Sequence, residues 1–145
     1  MSEFTRFSRE TFMAFRANSR SGPVEMLNLI RLHPRALYED GREATGAEAY
    51  EAYSRISAPA FARLGGKIVW RGAFELMMVG PEPERWDIAF VARYPSSEAF
   101  AALFGEPAYR EAMVHRQAGV KDSRLIRFGA AEYGKTFSGK TFSGN

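Results

Sequence analysis

GGKIVWRGAFELMMVGPEPERWDIAFVARY, residues 65–94, is the stretch of sequence that decides the fold. Two runs rich in β-branched and aromatic residues, 67–79 and 86–94, are separated by Gly80-Pro81-Glu82-Pro83-Glu84. Glycine and proline favour turns, whereas β-branched and aromatic side chains favour strands. The stretch therefore predicts a β-hairpin.

Regular patterns flank this hairpin on both sides. Upstream lie a strand-like run at 24–32, VEMLNLIRL, and a helical pattern over 47–64. Pro59 is expected to kink or split that helix near Arg55, and Gly65 to end it as a left-handed cap. Downstream, Ser96 suits the cap of one helix and Pro107 the first turn of the next, before a last strand at 121–128. The order βαββαβ predicts an α+β fold with a four-stranded antiparallel sheet.

The first strand is apolar on both of its faces. Met26, Asn28 and Ile30 alternate with Leu27 and Leu29, so each side of the strand requires cover. Helices of the same chain can cover one side only. A second subunit is the simplest cover for the other, and we expect a homodimer.

Three segments are predicted to lie outside the regular core or to interrupt it. Residues 24–130 are predicted to be the main domain. Before it, residues 1–23 form an amphipathic helix over 8–18 with a linker, and after it, residues 131–145 form a mobile tail that repeats KTFSG. The polar stretch 33–46 is either a functional loop such as a lid or a solvated insertion.

Composition limits the classes of function. The 145 residues include 20 basic and 17 acidic side chains, a net charge of +3, with the arginines scattered and no cysteine. This pattern indicates neither nucleic-acid binding nor thiolate metal sites. The N-terminus lacks the apolar core of a signal peptide, and no run is long enough to span a membrane. A cytoplasmic location is the expectation.

The tail imitates a phosphate-binding loop. GAAEYGKT at 129–136 and GKTFSGKT at 134–141 both fit GxxxxGK[ST]. Such a loop binds phosphate when it opens a helix, and only nine residues follow the first match. The matches are attributed to the repeat, and nucleotide binding is not predicted.

Several residues are candidates for a small-molecule site. His115, close in sequence to Asp122 and Arg124, could transfer protons near neutral pH, or it could simply pair with the end of its helix. Asn28 is a polar residue in an apolar strand, so it must find a hydrogen-bond partner in the protein or in a ligand. The predicted pocket, or otherwise a structural core, is lined by Asn28, Tyr53, Trp70, His115 and Arg124. His33 and His115 differ in context, so a zinc site is not predicted.

At this point the chain resembles a known family. The segments VEMLNLIR, DGREATGAEAYEAY, GGKIVWRG, ERWDIAFVARYPSSEAF, PAYREAMVHRQAG and DSRLIRF are similar to the domain-of-unknown-function 1330 family. That family belongs to the dimeric α+β barrel superfamily, with a ferredoxin-like unit. The resemblance implies a homodimer in which two four-stranded sheets face each other. It marks polar positions at Asn28, Arg31, Trp70, Arg71, His115, Arg116, Asp122 and Arg124.

The sequence supports two main functional hypotheses. One is a metal-free enzyme, isomerase-like or monooxygenase-like, in which His115 transfers a proton, Asp122 orients it and Arg124 holds an anionic group. Asn28, Arg31, Tyr53 and Trp70 would complete its substrate site. The alternative is a non-catalytic ligand-binding or stress-response dimer with the same pocket. No cofactor or metal is predicted, and haem binding through His115 is a third hypothesis.

Overall fold

The structure is a computed structural model, and it describes residues 3–18 and 20–130. The tail repeat, its predicted mobility and both phosphate-loop matches beyond Ala130 lie outside the described residues. The predicted division at residues 23 and 130 stays a prediction.

The described chain forms one four-stranded antiparallel sheet with helices on one side. The strands are β1 (Val24–Leu32), β2 (Lys67–Ala73), β3 (Ile88–Tyr94) and β4 (Val120–Phe128), in the order β2-β3-β1-β4. The helices are α1 (Arg9–Ala17), α2 (Gly46–Arg63), α3 (Ser97–Leu103) and α4 (Pro107–Gly119). The predicted α+β class, the βαββαβ order and the N-terminal helix are confirmed, and the topology is ferredoxin-like.

The central hairpin is confirmed, although its first strand is shorter than predicted. Strand β2 ends at Ala73, whose partner is Ile88, and the amide of Phe74 makes one further bond to the Asp87 carbonyl. Farther on, the opposite segment contains Pro81 and Pro83, which lack an N–H to continue a ladder. Residues 75–86 therefore form a long loop.

The helix ends follow the predicted signals. Ser8 and Ser96 cap α1 and α3, Pro107 opens α4, and Thr45 and Glu48 form a reciprocal capping box on α2. Helix α2 runs through Pro59 without being split and ends at Arg63, and Gly65 follows the C-cap residue Leu64 with φ of 81°. The positive φ is the conformation that glycine adopts without steric cost.

The sheet has an inner face against the helices and an open face away from them. Residues that pair directly in an antiparallel sheet share a face. On the inner face, Val24, Met26, Ala92 and Tyr94 are buried in one cluster with Phe100 and other helical residues. On the open face, Leu27 of β1 lies between Val91 of β3 and Ile126 of β4. The two-sided apolar character of β1 is thus seen in the structure.

The polar stretch 33–46 packs against the ends of α2 and α4. The amides of His33 and Leu37 donate to the carbonyls of Gly119 and Ala118, each at 2.8 Å. Ala36 is buried in a small cluster of alanine side chains with Ala49 and Ala118. The stretch is therefore tied to the helical layer rather than open to solvent throughout.

The beginning of the N-terminal segment, residues 3–18, is tied to the domain through its main chain. The amide of Phe4 donates to Asp122 Oδ1 at 2.8 Å, and its carbonyl accepts from Ser123 Oγ at 2.8 Å. Arg116 Nη1 donates to the carbonyl of Thr5, also at 2.8 Å. The segment is thus fixed to β4 and α4 before α1 begins.

Aromatic rings fix the rest of the segment. Phe7 and Phe12 pack edge-on against Phe104, with ring centroids 5.3 and 5.9 Å away. Phe15 accepts a hydrogen bond at its carbonyl from Arg127 Nη1, whose guanidinium also lies over the Phe15 ring. Within residues 3–18 and 20–130, no helix is long and apolar enough to cross a membrane.

Candidate functional site

A large cleft lies between the inner face of the sheet and the helices, with the N-terminal segment along its side. Its volume is about 1200 Å³, and its lining is mostly apolar. Volumes of this order accommodate drug-sized molecules. All four strands, helices α2, α3 and α4, and the N-terminal segment with α1 contribute to it. Among its aromatic residues are Phe4, Phe12, Phe15, Tyr50, Tyr53, Phe90, Tyr94, Phe100 and Tyr109.

Tyrosine hydroxyls are among the polar groups of the cleft. The Tyr53 and Tyr109 oxygens lie 3.4 Å apart, and the Tyr50 and Tyr53 rings are in contact with centroids 5.2 Å apart. Burial is the main cause that raises the pKa of Tyr50, Tyr94 and Tyr109 above the ordinary value for tyrosine. These three hydroxyls are therefore neutral near pH 7 and can donate or accept hydrogen bonds.

Asn28 lies on the floor of the cleft, in the middle of β1. Its Nδ2 donates to the Met26 carbonyl at 3.1 Å, and its side chain is half-buried. Among the described residues, no donor reaches its Oδ1. The Nδ2 group of the amide is thus held by the protein, and Oδ1 is available to accept from a ligand.

Arg124 lies at one end of the cleft and is already paired. Its Nη1 donates to Asp122 Oδ1 at 2.8 Å, and its guanidinium stacks over the Phe4 and Trp86 rings at 4.8 and 5.0 Å. Burial opposes ionisation of Asp122, but hydrogen bonds from the Phe4 amide and Arg124 outweigh it and lower its pKa. This ion pair therefore attaches the N-terminal segment.

His115 is placed with a different partner from the predicted one. Its Nδ1 lies 2.6 Å from the Tyr38 hydroxyl oxygen, at the packed 33–46 stretch. No hydrogen bond or ion pair among the described residues joins His115 to Asp122, and neither residue lines the cleft. Of the predicted grouping of His115 with Asp122 and Arg124, the contact between Asp122 and Arg124 is found, and Asp122 Oδ1 also accepts from the Phe4 and Ser123 amides. The catalytic roles of His115 and Asp122 stay predictions.

Trp70 is also separated from the cleft. The β2–β3 register shifts between Ile68, which pairs with Ala92, and Trp70, which pairs with Val91. This extra residue is a β-bulge, and it moves Trp70 to the open face while Ile68 stays on the inner one. Arg31 lies opposite Asp122 in the register of β1 and β4, and it is outside the cleft as well. The structure therefore brings together Asn28, Tyr53 and Arg124 of the predicted site residues.

The cleft contains residues that the sequence pattern did not assign to a site. Tyr50 and Tyr109 lie on helices α2 and α4 and were not among the candidate site residues, and Arg71 was only a polar position of the resemblance. Arg71 pairs with Phe90, which pairs with Asn28, so these three form one row across the inner face. Strand alternation after the bulge is the signal that could have placed Arg71 there. No group of three or more histidine, aspartate or glutamate side chains in the described part of the chain could hold a metal ion.

Comparison with known families identifies the chain. A family model described as domain of unknown function (DUF1330) matches residues 42–129, which is more than half of the sequence. The chain is a member of the DUF1330 family. No protein of curated function matches this DUF1330 protein.

Solved structures agree with the fold. The methylated RPA0582 protein is 57% identical, with a TM-score of 0.89, over 93% of this chain and 100% of its own. A second structure of RPA0582, described as a protein of unknown function from Rhodopseudomonas palustris, is 55% identical with a TM-score of 0.87, over 91% and 100% of the two chains. SnoaB from Streptomyces nogalater, a cofactor-independent oxygenase, is 17% identical with a TM-score of 0.51, over 79% and 99%. At that identity SnoaB shows a shared fold alone.

Acidification is expected to loosen the N-terminal segment of this DUF1330 protein. Because the pKa of Asp122 is lowered in the folded state, its contribution to stability is complete above the ordinary aspartate pKa, about 4, and is lost as the pH falls through the lower folded value. Hydrogen exchange at the Phe4 amide should therefore lose protection below about pH 4. Asp122→Asn should reduce that protection at neutral pH and flatten its pH dependence.

The matched control is Asp40→Asn. Asp40 also has a lowered pKa, about 2, chiefly because of the Arg42 side chain, but it is exposed and bonds within the 33–46 stretch. This variant should leave exchange at Phe4 unchanged. Equal pH dependence in the Asp122→Asn variant and the parent would disprove the role of Asp122.

Proposed function

We propose that this DUF1330 protein binds a small, flat and largely apolar molecule in the cleft between its sheet and its helices. The observation that carries the proposal is the cleft itself, about 1200 Å³ in volume and walled by aromatic rings. Mostly apolar walls with polar groups at defined positions are typical of small-molecule sites. Of the two functions that the sequence left open, ligand binding is the one that this geometry supports best.

The polar groups of the cleft would orient the ligand. The free Oδ1 of Asn28 can accept one hydrogen bond, and the Tyr53 and Tyr109 hydroxyls can donate or accept others. Flat ligands can stack on the neighbouring rings. None of the described residues that line the cleft carries a carboxylate or an imidazole, so binding needs no change of protonation in the protein.

Proton transfer by His115 is a second candidate function. One observation favours it: the hydroxyl of Tyr38 lies 2.6 Å from Nδ1 and can fix the orientation of the ring. An isomerase-like or monooxygenase-like activity would then require a reacting group at the 33–46 side of α4, outside the cleft. That role stays a prediction.

We also propose that two copies assemble through their open faces. Leu27 and Leu29 are half-buried there, and Trp70, Ile126 and Phe128 expose 55%, 41% and 50% of their surfaces in a single chain. A contiguous apolar patch of this kind is typical of an interface. A second copy presents the same apolar surface, and an isologous pair would cover both at once.

A large side chain at the wall of the cleft is expected to block ligand binding. Ala58 lines the cleft from α2 at an exposed position, and Ala58→Trp would place an indole over that wall of the cleft. N-phenyl-1-naphthylamine, a neutral dye that fluoresces in apolar surroundings, should bind the parent at one site per chain. The variant should bind it at least roughly tenfold more weakly, since about 1.4 kcal/mol of lost contact produces that factor.

The matched control is Ala62→Trp. Ala62 lies one turn farther along α2, is exposed, and is not among the residues that line the cleft. Dye affinity in this variant should equal that of the parent. If the parent binds no dye, or if both variants bind as the parent does, the cleft is not a ligand site.

A further inference from the structure

The charged side chains that line the cleft are all arginine. They are Arg6, Arg71, Arg116, Arg124 and Arg127, and no aspartate, glutamate or lysine is found among the described lining residues. The whole chain is nearly balanced, with 20 basic and 17 acidic residues. The accumulation of one sign in the cleft is therefore a property of the fold rather than of the composition. A cleft with low-dielectric walls concentrates such a field on its contents.

These arginines differ in what already holds them. Arg124 has a carboxylate partner in Asp122, whereas Arg116 and Arg127 donate to neutral main-chain carbonyls, those of Thr5 and Phe15. Neutral acceptors leave a guanidinium charge without compensation. For Arg71, no side-chain hydrogen bond or ion pair to any described residue is found. Its five N–H donors are therefore available to a ligand.

Arg71 and Arg116 approach the cleft from opposite walls. Arg71 lies on the sheet, in the row that continues through Phe90 to Asn28, about two strand spacings or roughly 10 Å from Asn28 along the sheet. Arg116 lies on helix α4. Both charges act on the same buried group, the Tyr50 hydroxyl, where each favours the ionised form although burial still dominates its pKa. Both residues line the cleft, one from the sheet and the other from the helical layer.

From this arrangement we infer that the ligand is an aromatic anion, such as a carboxylate on a flat ring system, with its negative group near Arg71 and Arg116. The inference rests on the proposed function and specifies its ligand class. The planar guanidinium of Arg71 can bind a carboxylate through two parallel hydrogen bonds. The Phe90 ring and the Asn28 amide lie next along the same row, where they would meet the body of the ligand.

A matched pair of probes tests the charge. 8-Anilinonaphthalene-1-sulfonate and N-phenyl-1-naphthylamine share one aromatic body and differ by a sulfonate group. The anion is expected to bind more tightly than the neutral dye, and its affinity should fall as salt is added. Arg71→Gln should weaken binding of the anion roughly tenfold to a hundredfold, the effect expected for a charged hydrogen-bond partner, and leave the neutral dye unchanged. Arg71→Lys should restore part of the loss.

The control for general charge is Arg55→Gln, an exposed arginine of α2 that does not line the cleft. It should change neither affinity. If the neutral dye binds as tightly as the anion, or if Arg71→Gln weakens both dyes equally while the melting temperature is unchanged, the anionic ligand class is refuted and the cleft remains a binding site. If neither dye binds the parent, the proposed function itself fails.

Discussion

Leu27→Asp is expected to convert a dimer into monomers. Leu27 lies near the middle of the open face, with Val91 and Ile126 as its neighbours on the two adjoining strands. In the proposed assembly, the new carboxylate would be buried without a partner, at a cost of several kcal/mol. The dimer dissociation constant should rise on the order of a hundredfold or more. Light scattering after gel filtration would measure the halved mass.

Leu37→Asp is the matched control for this change. Leu37 is 62% exposed and lies in the 33–46 stretch, on the helical layer rather than the open face. The same substitution there should leave the mass unchanged, and circular dichroism should show both variants folded. A parent protein that is monomeric at micromolar concentration would refute the proposed assembly, as would a Leu27→Asp variant with the mass of the control.

Phe100→Ala is expected to produce the largest loss of folding stability. The side chain is 5% exposed, and its ring contacts those of Phe15, Tyr94 and Phe104, with centroids 4.9 to 5.2 Å apart. Truncation of a buried phenylalanine to alanine leaves a cavity and lowers the free energy of unfolding by about 3–5 kcal/mol. Because Phe100 also lines the cleft, affinity for the neutral dye should fall as well.

Urea denaturation measures the loss, and Phe100→Leu is the companion variant. Leucine retains most of the buried apolar volume, so its loss should be clearly smaller, about 1–2 kcal/mol. Equal losses in the two variants would indicate that ring packing contributes little. A Phe100→Ala variant within about 1 kcal/mol of the parent would contradict the assigned position of this ring in the core.

The fold follows from local signals that the sequence carries strongly. Strand β1 begins and ends where its apolar run does, and Ser8, Ser96 and Pro107 begin their helices as their chemistry predicts. The predicted strand over 67–79 is too long, since its later residues have the right composition but no partner. Pairing depends on what lies opposite, and composition within one run carries no information about that.

The site was less predictable because it depends on which side chains of each strand and helix face the cleft. Asn28 and Tyr53 reach the cleft as simple alternation and helical spacing suggest. Trp70 does not, because the bulge after Ile68 reverses the face of every later residue in β2, and the same bulge directs Arg71 inward. Because of this single extra residue, the cleft is lined by the guanidinium of Arg71 and not by the predicted apolar ring of Trp70.

Proximity in sequence was a poor guide to the partner of His115. Asp122 follows His115 closely along the chain, but α4 ends at Gly119, and Asp122 lies on the strand that follows it. Tyr38, from the distant 33–46 stretch, occupies the position next to Nδ1 instead. Contacts between a helix and a stretch so far away cannot be deduced from spacing.

Residues 3–18 are attached to the domain largely through their main chain, which bears on how their side chains can be changed. The side chains that hold this segment make hydrogen bonds to its main-chain N–H and C=O groups, and every amino acid other than proline has both groups. These side chains are Asp122, Ser123, Arg116 and Arg127. The main-chain part of this attachment therefore persists when Phe4 is exchanged, whereas exchange of Phe12 also removes its ring contact with Phe104. A library randomised at Phe4 would offer a route to altered ligand selectivity that keeps these main-chain bonds.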